Sequence, residues 1–318
     1  MDIVKKILSS IAFIGGFVAV LLLLGIVFKP EEELNRAYAV DRKLVDYETD
    51  YELKYDVMFY GDSLSYTSFI PAYLWKHYGI TSYNFGCANG KLNDVYYLMK
   101  ETLLNQHPKV VVLETDSFFV YAGKYMDADD NINNVFYDFF PVLRYHNRWK
   151  TLLNATKLFG KESESAKNKG YICKKAVVPY EGEQWMNKTD EEEPFGENVE
   201  YYFNKIRDMV EENGAKLVLV STVSPLTYNY SKHNSLVKLS EKYGIDYYDF
   251  NLDTDVIGVD MAKDTYDGGY HPNYRLACKL SRYFGKVLSE KYSIKSHLGD
   301  PDYENWNKWL KTIKYQLK

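Results

Sequence analysis

Short blocks of apolar residues recur along the chain and are separated by turns or by amphipathic stretches. Five of these blocks have the length of a strand and are bounded by turn residues. Residues 110–113, Val-Val-Val-Leu, include no polar position, which is typical of a strand covered on both faces of a parallel sheet. The pattern predicts buried strands at residues 55–60, 82–86, 109–114, 216–221 and 246–250.

Between these strands, apolar residues recur with the period of a helix. Three such stripes predict helices: Leu92, Val95, Leu98, Met99 and Thr102; Val199, Phe203, Ile206 and Val210; and Leu276, Leu280, Phe284 and Val287. Gly214 is placed to end the second helix, and Pro272 to occupy the first turn of the third. Strands that alternate with helices predict right-handed βαβ units, and so an α/β fold with a central parallel sheet.

The N-terminal region is apolar, and residues 7–28 carry no charge. About 20 apolar residues are enough to span a bilayer as a helix. A long signal peptide is the alternative, but the one small-x-small site, Ala37-Tyr38-Ala39, lies well past the apolar stretch. We therefore predict an uncleaved anchor, with residues 1–30 forming a cytoplasmic stub and a transmembrane helix.

Charges on the two sides of the anchor predict its orientation. Lys5 and Lys6 precede it, and three glutamates at residues 31–33 follow it. Because lysine and arginine favour the cytoplasmic side, the body of the protein is expected outside the cell, on a single-pass cell-membrane anchor. Residues 31–52 are charged and poorly periodic, which predicts a stem between the membrane and the folded domain.

The amino-acid composition predicts a folded domain and argues against one class of function, nucleic-acid binding. The chain has 318 residues, 46% of them hydrophobic, which is enough for one large folded domain with appendages. A net charge of -5 and the lack of a concentrated basic face argue against nucleic-acid binding. Most of the 31 tyrosines are interpreted as half-buried core residues. The alternative is that some of them line a sugar-binding groove.

Neither cysteines nor histidines have the spacing of a metal site, so no metal and no cofactor are predicted. The three cysteines are interpreted as small buried apolar residues, with one possible disulfide pair left open. The residues concerned are Cys87, Cys173, Cys278, His77, His107, His233 and His297.

The alternation of strands and helices is interrupted between residues 117 and 197. This stretch is too long for an ordinary connection, and its middle is polar and rich in lysine and glutamate. It predicts an insertion that covers the functional site. The predicted catalytic domain comprises residues 53–293, and residues 294–318 are expected to form a helical tail.

Two segments that are far apart in the sequence contain the candidate catalytic residues. Gly61-Asp62-Ser63 puts a serine directly after the first predicted strand, and a later loop supplies Asp267 and His271 before the last domain helix. A serine hydroxyl is a poor nucleophile unless a base takes its proton and a carboxylate orients that base. In open α/β sheets such residues meet at the carboxyl ends of the strands. The sequence predicts a triad of Ser63 as nucleophile, His271 as general base and Asp267 as carboxylate.

These two segments resemble the SGNH/GDSL hydrolase superfamily, whose first block is a Gly-Asp-Ser and whose last block pairs an aspartate with a histidine. The resemblance covers about residues 55–290, and it implies a flavodoxin-like three-layer α/β/α fold, here preceded by the transmembrane helix. The family commonly places two residues between its aspartate and histidine. Three residues separate Asp267 from His271, so Asp264 is the alternative carboxylate.

The resemblance also implies donors for the oxyanion of an acyl transfer, namely the backbone amides of Ser63 and Gly86. Many members add an asparagine after the third strand, where this chain has Glu114-Thr115-Asp116. Asn89 is the candidate replacement, with an ordinary loop residue as the alternative interpretation.

A domain of this kind on a single membrane anchor is similar to the membrane-anchored proteins of bacterial alginate and cellulose O-acetylation. That resemblance implies a cell-surface or secreted polysaccharide as substrate and a multispanning membrane O-acyltransferase as partner and acyl source. Two alternatives remain open: an esterase or deacetylase of the same substrate, and a weakly catalytic partner of the acylation machinery.

Overall fold

The computed structural model describes residues 2–28, 43–44, 46–47, 53–119, 140, 142, 163–195 and 197–314. Most of the predicted stem, and the part of the predicted insertion between residues 120 and 162, lie outside this set apart from single residues. Both stay predictions.

A five-stranded parallel sheet forms the centre of the fold. Its strands, in the spatial order 2-1-3-4-5, are β1 Val57–Tyr60, β2 Ser82–Asn84, β3 Val110–Glu114, β4 Lys216–Ser221 and β5 Asp246–Asp249. This order is that of the flavodoxin-like folds. All five predicted strands are present and no strand is more than two residues shorter than predicted, so the predicted α/β class is confirmed.

Helices connect the strands and cover the sheet. In the described part of the chain they are α1 Asp2–Phe28, α2 Ser63–Ser68, α3 Pro71–Tyr78, α4 Leu92–Thr102, α5 Glu164–Lys167, α6 Glu197–Glu212, α7 Tyr230–Tyr243, α8 Thr254–Ile257, α9 Tyr274–Glu290 and α10 Glu304–Leu310. Short 3₁₀ turns occupy Asp116–Phe118 and Pro301–Tyr303. Sequence periodicity predicted α4, α6 and α9, the uncharged apolar run predicted α1, and neither signal identified α2, α3 or α7.

Side chains of each strand alternate between the two faces of the sheet. Met58 and Tyr60 of β1 join a core cluster with α4, α6 and α7, whereas Val57 and Phe59 join a second cluster with α9. The sheet is therefore the middle of three layers, with a separate apolar core on each face.

Helix α1 meets the length and composition of a membrane span. Within Val4–Gly25, 18 consecutive residues have a mean hydropathy of 2.6, and none of these 18 is buried against the rest of the protein. A signal sequence near an N-terminus passes the same test, so the uncleaved anchor and its orientation remain predictions.

The start of α9 differs from its prediction. Pro272 lies outside the helix, which begins at Tyr274, and it forms an antiparallel bridge with Thr265 instead. Asn273 is the N-cap, because its Oδ1 accepts hydrogen bonds from the backbone amides of Arg275 and Leu276 at 2.9 and 3.3 Å.

The C-terminal helix packs against the catalytic domain. Trp306 on α10 is 2% exposed, and its ring lies 5.8 Å from Tyr55 and 5.3 Å from Trp75. The ammonium group of the buried Lys169 lies 4.7 Å from the Trp306 ring and 4.8 Å from the Trp309 ring. Residues beyond 293 thus contribute to the same apolar core as β1 and α3.

We expect Trp306→Ala to lower the free energy of unfolding by about 3 kcal/mol or more, because it empties a buried aromatic site. The measurement is chemical denaturation of the full chain in detergent micelles, followed by far-ultraviolet circular dichroism. Leu298→Ala is the control in the same tail, and since Leu298 is 49% exposed it is expected to change stability by less than about 0.5 kcal/mol. Equal effects of the two changes would contradict the prediction.

Candidate active site

Ser63 lies where β1 ends and α2 begins, at the carboxyl edge of the sheet. Gly61 makes the turn with a φ of 141°, and a Cβ atom there would lie 2.7 Å from the Glu114 Cβ of the neighbouring strand β3. Asp62 then caps α2, since its Oδ1 accepts a hydrogen bond from the Leu64 amide at 2.8 Å. The tight turn holds the Ser63 side chain at the edge of the sheet.

The loop that precedes α9 is closed by its own hydrogen bonds. The Gly269 amide donates to Thr265 Oγ1 at 2.9 Å, and the His271 amide donates to Asp267 Oδ1 at 2.9 Å. Gly268 and Gly269 both have positive φ, at 80° and 115°, which allows this sharp path. Because the three intervening residues form this turn, the Asp267 carboxylate reaches both the backbone amide and the imidazole ring of His271.

The structure brings the three predicted triad residues into one line. Ser63 Oγ lies 2.8 Å from His271 Nε2, and His271 Nδ1 lies 2.6 Å from Asp267 Oδ2. When Nδ1 carries the proton and donates to Asp267, Nε2 accepts from the Ser63 hydroxyl. His271 and Asp267 are 22% and 26% exposed, so the line is open to a ligand.

Asp264, the alternative carboxylate, has other partners. It is fully buried, and it forms ion pairs with Lys279 at 2.5 Å and Arg275 at 3.5 Å. It also accepts a hydrogen bond from the Asp260 amide at 2.8 Å. These contacts tie α9 to the loop before it, and the histidine partner is Asp267.

The candidate oxyanion donors have different surroundings. Gly86 packs against the nucleophile turn, since a Cβ there would lie 2.6 Å from the Asp62 carbonyl oxygen. Its amide, however, donates to Asn84 Oδ1 at 2.9 Å and is already engaged in this structure. Asn89 is exposed, in a turn with a φ of 53°. The oxyanion roles of Ser63, Gly86 and Asn89 stay predictions.

Asn84, which sequence analysis did not identify as a site residue, fixes the nucleophile helix to β2. Its Nδ2 donates to the carbonyl oxygens of Ser65 and Phe69 at 2.8 and 3.3 Å, and its Oδ1 accepts from Ser65 Oγ at 3.1 Å. An asparagine within a short buried strand was the available signal, but that pattern is too common to single out a site residue.

Three carboxyl groups lie buried behind the nucleophile turn. The Asp62 side chain lies next to those of Glu114 and Asp116, and the Asp116 amide donates to Glu114 Oε2 at 3.1 Å. Burial raises the pKa of all three carboxyls, and mutual repulsion raises those of Asp62 and Glu114 further. Lys232, 4.0 Å from Asp116, offsets part of this effect. We call these three residues the carboxyl cluster.

Tyrosines surround the histidine at the surface. The Tyr266 ring stacks on His271, with ring centroids 5.5 Å apart at an angle of 20°, and the Tyr270 ring lies 6.5 Å from His271. Tyr66 on α2 completes this set, and the three tyrosines are called the aromatic rim below. The ammonium group of Lys174, which lies within the predicted insertion, is 5.4 Å from the centroid of the Tyr266 ring.

Two other histidines have carboxylate partners that are distant in sequence. His233 Nδ1 lies 2.8 Å from Asp249 Oδ2, and His297 Nε2 lies 2.8 Å from Asp56 Oδ2. His297 also stacks on Tyr303 at 3.9 Å, which helps to hold the C-terminal segment. No group of three or more metal-ligating side chains occurs among the described residues.

The three cysteines are free thiols in the structure. Cys87 and Cys278 are buried and Cys173 is half-buried. Burial raises the pKa of each thiol, which keeps it in the unreactive neutral form.

No protein-family model and no curated protein matches the chain. Among solved structures it is similar to a "putative acylhydrolase" from Bacteroides fragilis, at 12% identity over 83% of this chain and 99% of that one, with a TM-score of 0.38. It is also similar to an acetyl xylan esterase, at 15% identity over 73% of this chain and 98% of that one, with a TM-score of 0.26.

A further similar structure is a gut microbial diltiazem-metabolizing enzyme, at 13% identity over 74% of this chain and a TM-score of 0.28. This chain spans 47% of that enzyme's length.

The carboxyl cluster predicts a pH dependence of stability. A carboxyl whose pKa is raised by folding holds its proton more tightly in the folded state, so its stabilising contribution is present at acid pH and is lost as pH rises from the unfolded value, about 4.3 for glutamate, towards the folded value. Glu114→Gln removes that loss while keeping the shape of the side chain. We expect the variant to gain stability relative to the unchanged protein as pH rises above about 4.3, by at most about 1.4 kcal/mol per pH unit.

The measurement is thermal unfolding of both full-length proteins in detergent between pH 4 and pH 8. Glu101→Gln, on the exposed surface of α4, is the control and should show no such trend. A difference between Glu114→Gln and the unchanged protein that is constant with pH would show that Glu114 has an ordinary pKa.

Proposed function

We propose that this protein is a serine-dependent acyltransferase in which Ser63 accepts an acyl group, most simply acetyl, and passes it to a hydroxyl of an extracytoplasmic polysaccharide. The observation that supports the proposal is the continuous line from Ser63 Oγ through His271 to Asp267, with separations of 2.8 and 2.6 Å. Such a line is what a serine hydroxyl needs to act as a nucleophile near neutral pH.

In the first half of the reaction, Ser63 Oγ attacks the carbonyl carbon of an acyl ester while its proton moves to His271 Nε2. The carbonyl electron pair moves onto oxygen, which becomes the oxyanion. When that pair returns, the bond to the leaving alcohol breaks, and His271 gives its proton to the departing oxygen. Asp267 holds the histidine tautomer and stabilises its cationic form.

The second half repeats these steps with a new hydroxyl. His271 takes the proton of an acceptor, the acceptor oxygen attacks the acyl carbon, and Ser63 Oγ leaves and is protonated again. If the acceptor is a sugar hydroxyl the reaction is a transfer, and if it is water the reaction is hydrolysis. The aromatic rim favours the sugar, because tyrosine faces pack against the apolar faces of pyranose rings.

The candidate membrane span in α1 supports an action at the membrane surface. We propose that the domain faces the cell exterior, and that a multispanning O-acyltransferase supplies the acyl group across the membrane. An esterase or deacetylase of the same polysaccharide is the second candidate function, favoured by the partly exposed Ser63 and His271, which water can reach.

The test is to trap the acyl-enzyme. The full chain in detergent micelles is incubated with an aryl acetate, with and without an oligosaccharide, and then analysed by intact mass and product mass. We expect acetyl on Ser63 that moves to the oligosaccharide and is absent from Ser63→Ala. Release to water alone would support the esterase. Equal acylation of Ser63→Ala would show that another residue carries the chemistry.

We further expect Asp267→Asn to lower kcat for aryl acetate by about 10³- to 10⁴-fold, because the amide no longer holds the correct histidine tautomer. Asp264→Asn is the matched comparison, since it alters the alternative carboxylate. It is expected to lower thermal stability through its pairs with Lys279 and Arg275, while activity measured well below its melting temperature changes little. The reverse order of the two effects on kcat would assign Asp264 as the histidine partner.

A further inference from the structure

The exposed large apolar side chains of the folded domain are concentrated at one edge of the sheet. Leu226 follows β4, and Leu252 and Val256 follow β5, so all three lie at the carboxyl edge. Large apolar side chains that gather on one surface are typical of a membrane or protein contact, whereas scattered ones are ordinary. Among the described residues outside α1, the exposed ones at the carboxyl edge are Val177, Val178, Leu226, Leu252, Val256 and Tyr270, and those elsewhere are Leu104, Tyr201 and Leu298.

Four of these side chains lie beside the triad. The Val178 amide donates to the Thr265 carbonyl oxygen at 3.1 Å, and the Leu226 amide donates to the Gly269 carbonyl oxygen at 3.2 Å. Both residues are therefore held against the loop that carries His271. We call the four residues the apolar patch; they are Val177, Val178, Leu226 and Tyr270, each between 46% and 49% exposed.

The chain that leads from α1 meets the folded domain at this same edge. Lys43, the first described residue after α1, is 5% exposed, and its Nζ donates to the carbonyl oxygens of Asn84 and Gly170 at 3.3 and 2.7 Å. Asn84 is the last residue of β2, so Lys43 lies at the carboxyl end of that strand. Its ammonium group is also 5.4 Å from the centroid of the Tyr66 ring, on the helix that begins with Ser63.

Tyr47 shows the direction that the chain takes from there. Its ring centroid lies 5.0 Å from that of Phe85, just after β2, and 6.4 Å from that of Tyr55, just before β1. Because β1 is parallel to β2, its first residue lies at the amino edge of the sheet. The chain therefore enters at the carboxyl edge and crosses to the amino edge before β1 begins.

The link between α1 and Lys43 is short. Helix α1 ends at Phe28, and residues 29–42 span at most about 50 Å when fully extended. A folded domain of this size is about 45 Å across. Turning the amino edge towards a membrane would need nearly the whole extended link to pass along the domain, whereas the carboxyl edge meets the membrane without that cost.

We propose that the apolar patch docks on the lipid bilayer into which α1 inserts, so that Ser63 and His271 work at the membrane surface. Apolar side chains gain free energy on entering the interfacial region of a bilayer, and tyrosine is favoured there. The inference rests on α1 as a membrane span and goes beyond the proposed acyl transfer, because docking requires no catalysis. It restricts the acceptor to a polymer within reach of the membrane surface.

The test is site-directed spin labelling of the full chain in phosphatidylcholine liposomes that contain no other protein. A nitroxide is attached at Val178→Cys in a Cys173→Ser background; Cys87 and Cys278 are buried and are left in place. We expect this label to collide more often with oxygen, which concentrates in lipid, than with a water-soluble nickel chelate.

Leu298→Cys is the matched control. Leu298 is 49% exposed, and it follows His297, whose ring bonds with Asp56 ahead of β1 at the opposite edge. A label there is expected to collide more often with the nickel chelate. A third label, at Ile14→Cys within α1, is expected to lie in lipid. Adding Val177→Asp and Leu226→Asp is expected to move the Val178 label towards water, with folding checked by melting curves.

The outcomes decide the inference separately from the acyl transfer. If the Ile14 label lies in lipid but the Val178 label meets the chelate as readily as the Leu298 label does, the bilayer does not cover the patch and the inference is wrong. Water at Ile14 overturns it through the missing span. Lipid contact at Leu298 as well, or no shift with the two aspartates, also overturns it. None of these measurements depends on Ser63, so the acyl-enzyme experiment tests the proposed function on its own.

Discussion

The candidate site depends on the close approach of three backbone segments at the carboxyl edge of the sheet. A Cβ on Gly61 would lie 2.7 Å from Glu114 Cβ on one side, and a Cβ on Gly86 would lie 2.6 Å from the Asp62 carbonyl oxygen on the other. The turn that carries Ser63 is therefore fixed between the ends of β2 and β3. Since both neighbouring strands are parallel to β1, the register of the sheet sets the position of the nucleophile.

Asn84 extends this constraint to the rest of the site. Its side chain is hydrogen-bonded to α2, and its backbone amide donates to the Lys169 carbonyl oxygen at 2.9 Å. A Cβ on Gly170 would lie 1.7 Å from the Asn84 carbonyl oxygen, so only glycine fits there. Lys169 and Gly170 of the predicted insertion thus pack against the end of β2. A few residues later, Lys174 lies beside Tyr266 of the aromatic rim.

Part of this arrangement could be predicted from the sequence, because it depends on local patterns. The strands follow from continuous apolar runs such as residues 110–113, and a serine after the first strand has to lie at the carboxyl edge. The spacing of residues along the chain could not decide whether Asp264 or Asp267 is the carboxylate that pairs with His271. That choice depends on how the Gly268–Gly269 turn folds the loop, with the His271 amide bonded to the same carboxylate as its ring.

What the sequence could not predict comes from contacts between distant residues. Asp62 and Glu114 meet because neighbouring parallel strands end side by side, and a period of two or 3.6 residues carries no information about such a contact. The first turn of α9 is a smaller example of the same kind. Pro272 suits a helix start, but its bridge to Thr265 holds it in the loop, and Asn273 takes over as the cap.

The carboxyl cluster also bears on the charge of the site. Three ionised carboxylates behind the nucleophile would oppose the negative charge that develops on an acyl carbonyl oxygen, and Lys232 offsets only one of them. Raised pKa values favour the protonated form of these carboxyls, and protonation reduces that repulsion. The electrostatic interaction with His271 lowers the pKa of Asp116 and so opposes part of the effect of burial on that carboxyl. Burying acids whose pKa is raised lowers stability as pH rises, but a cluster that holds protons opposes the negative charge of the proposed oxyanion less than three ionised carboxylates would.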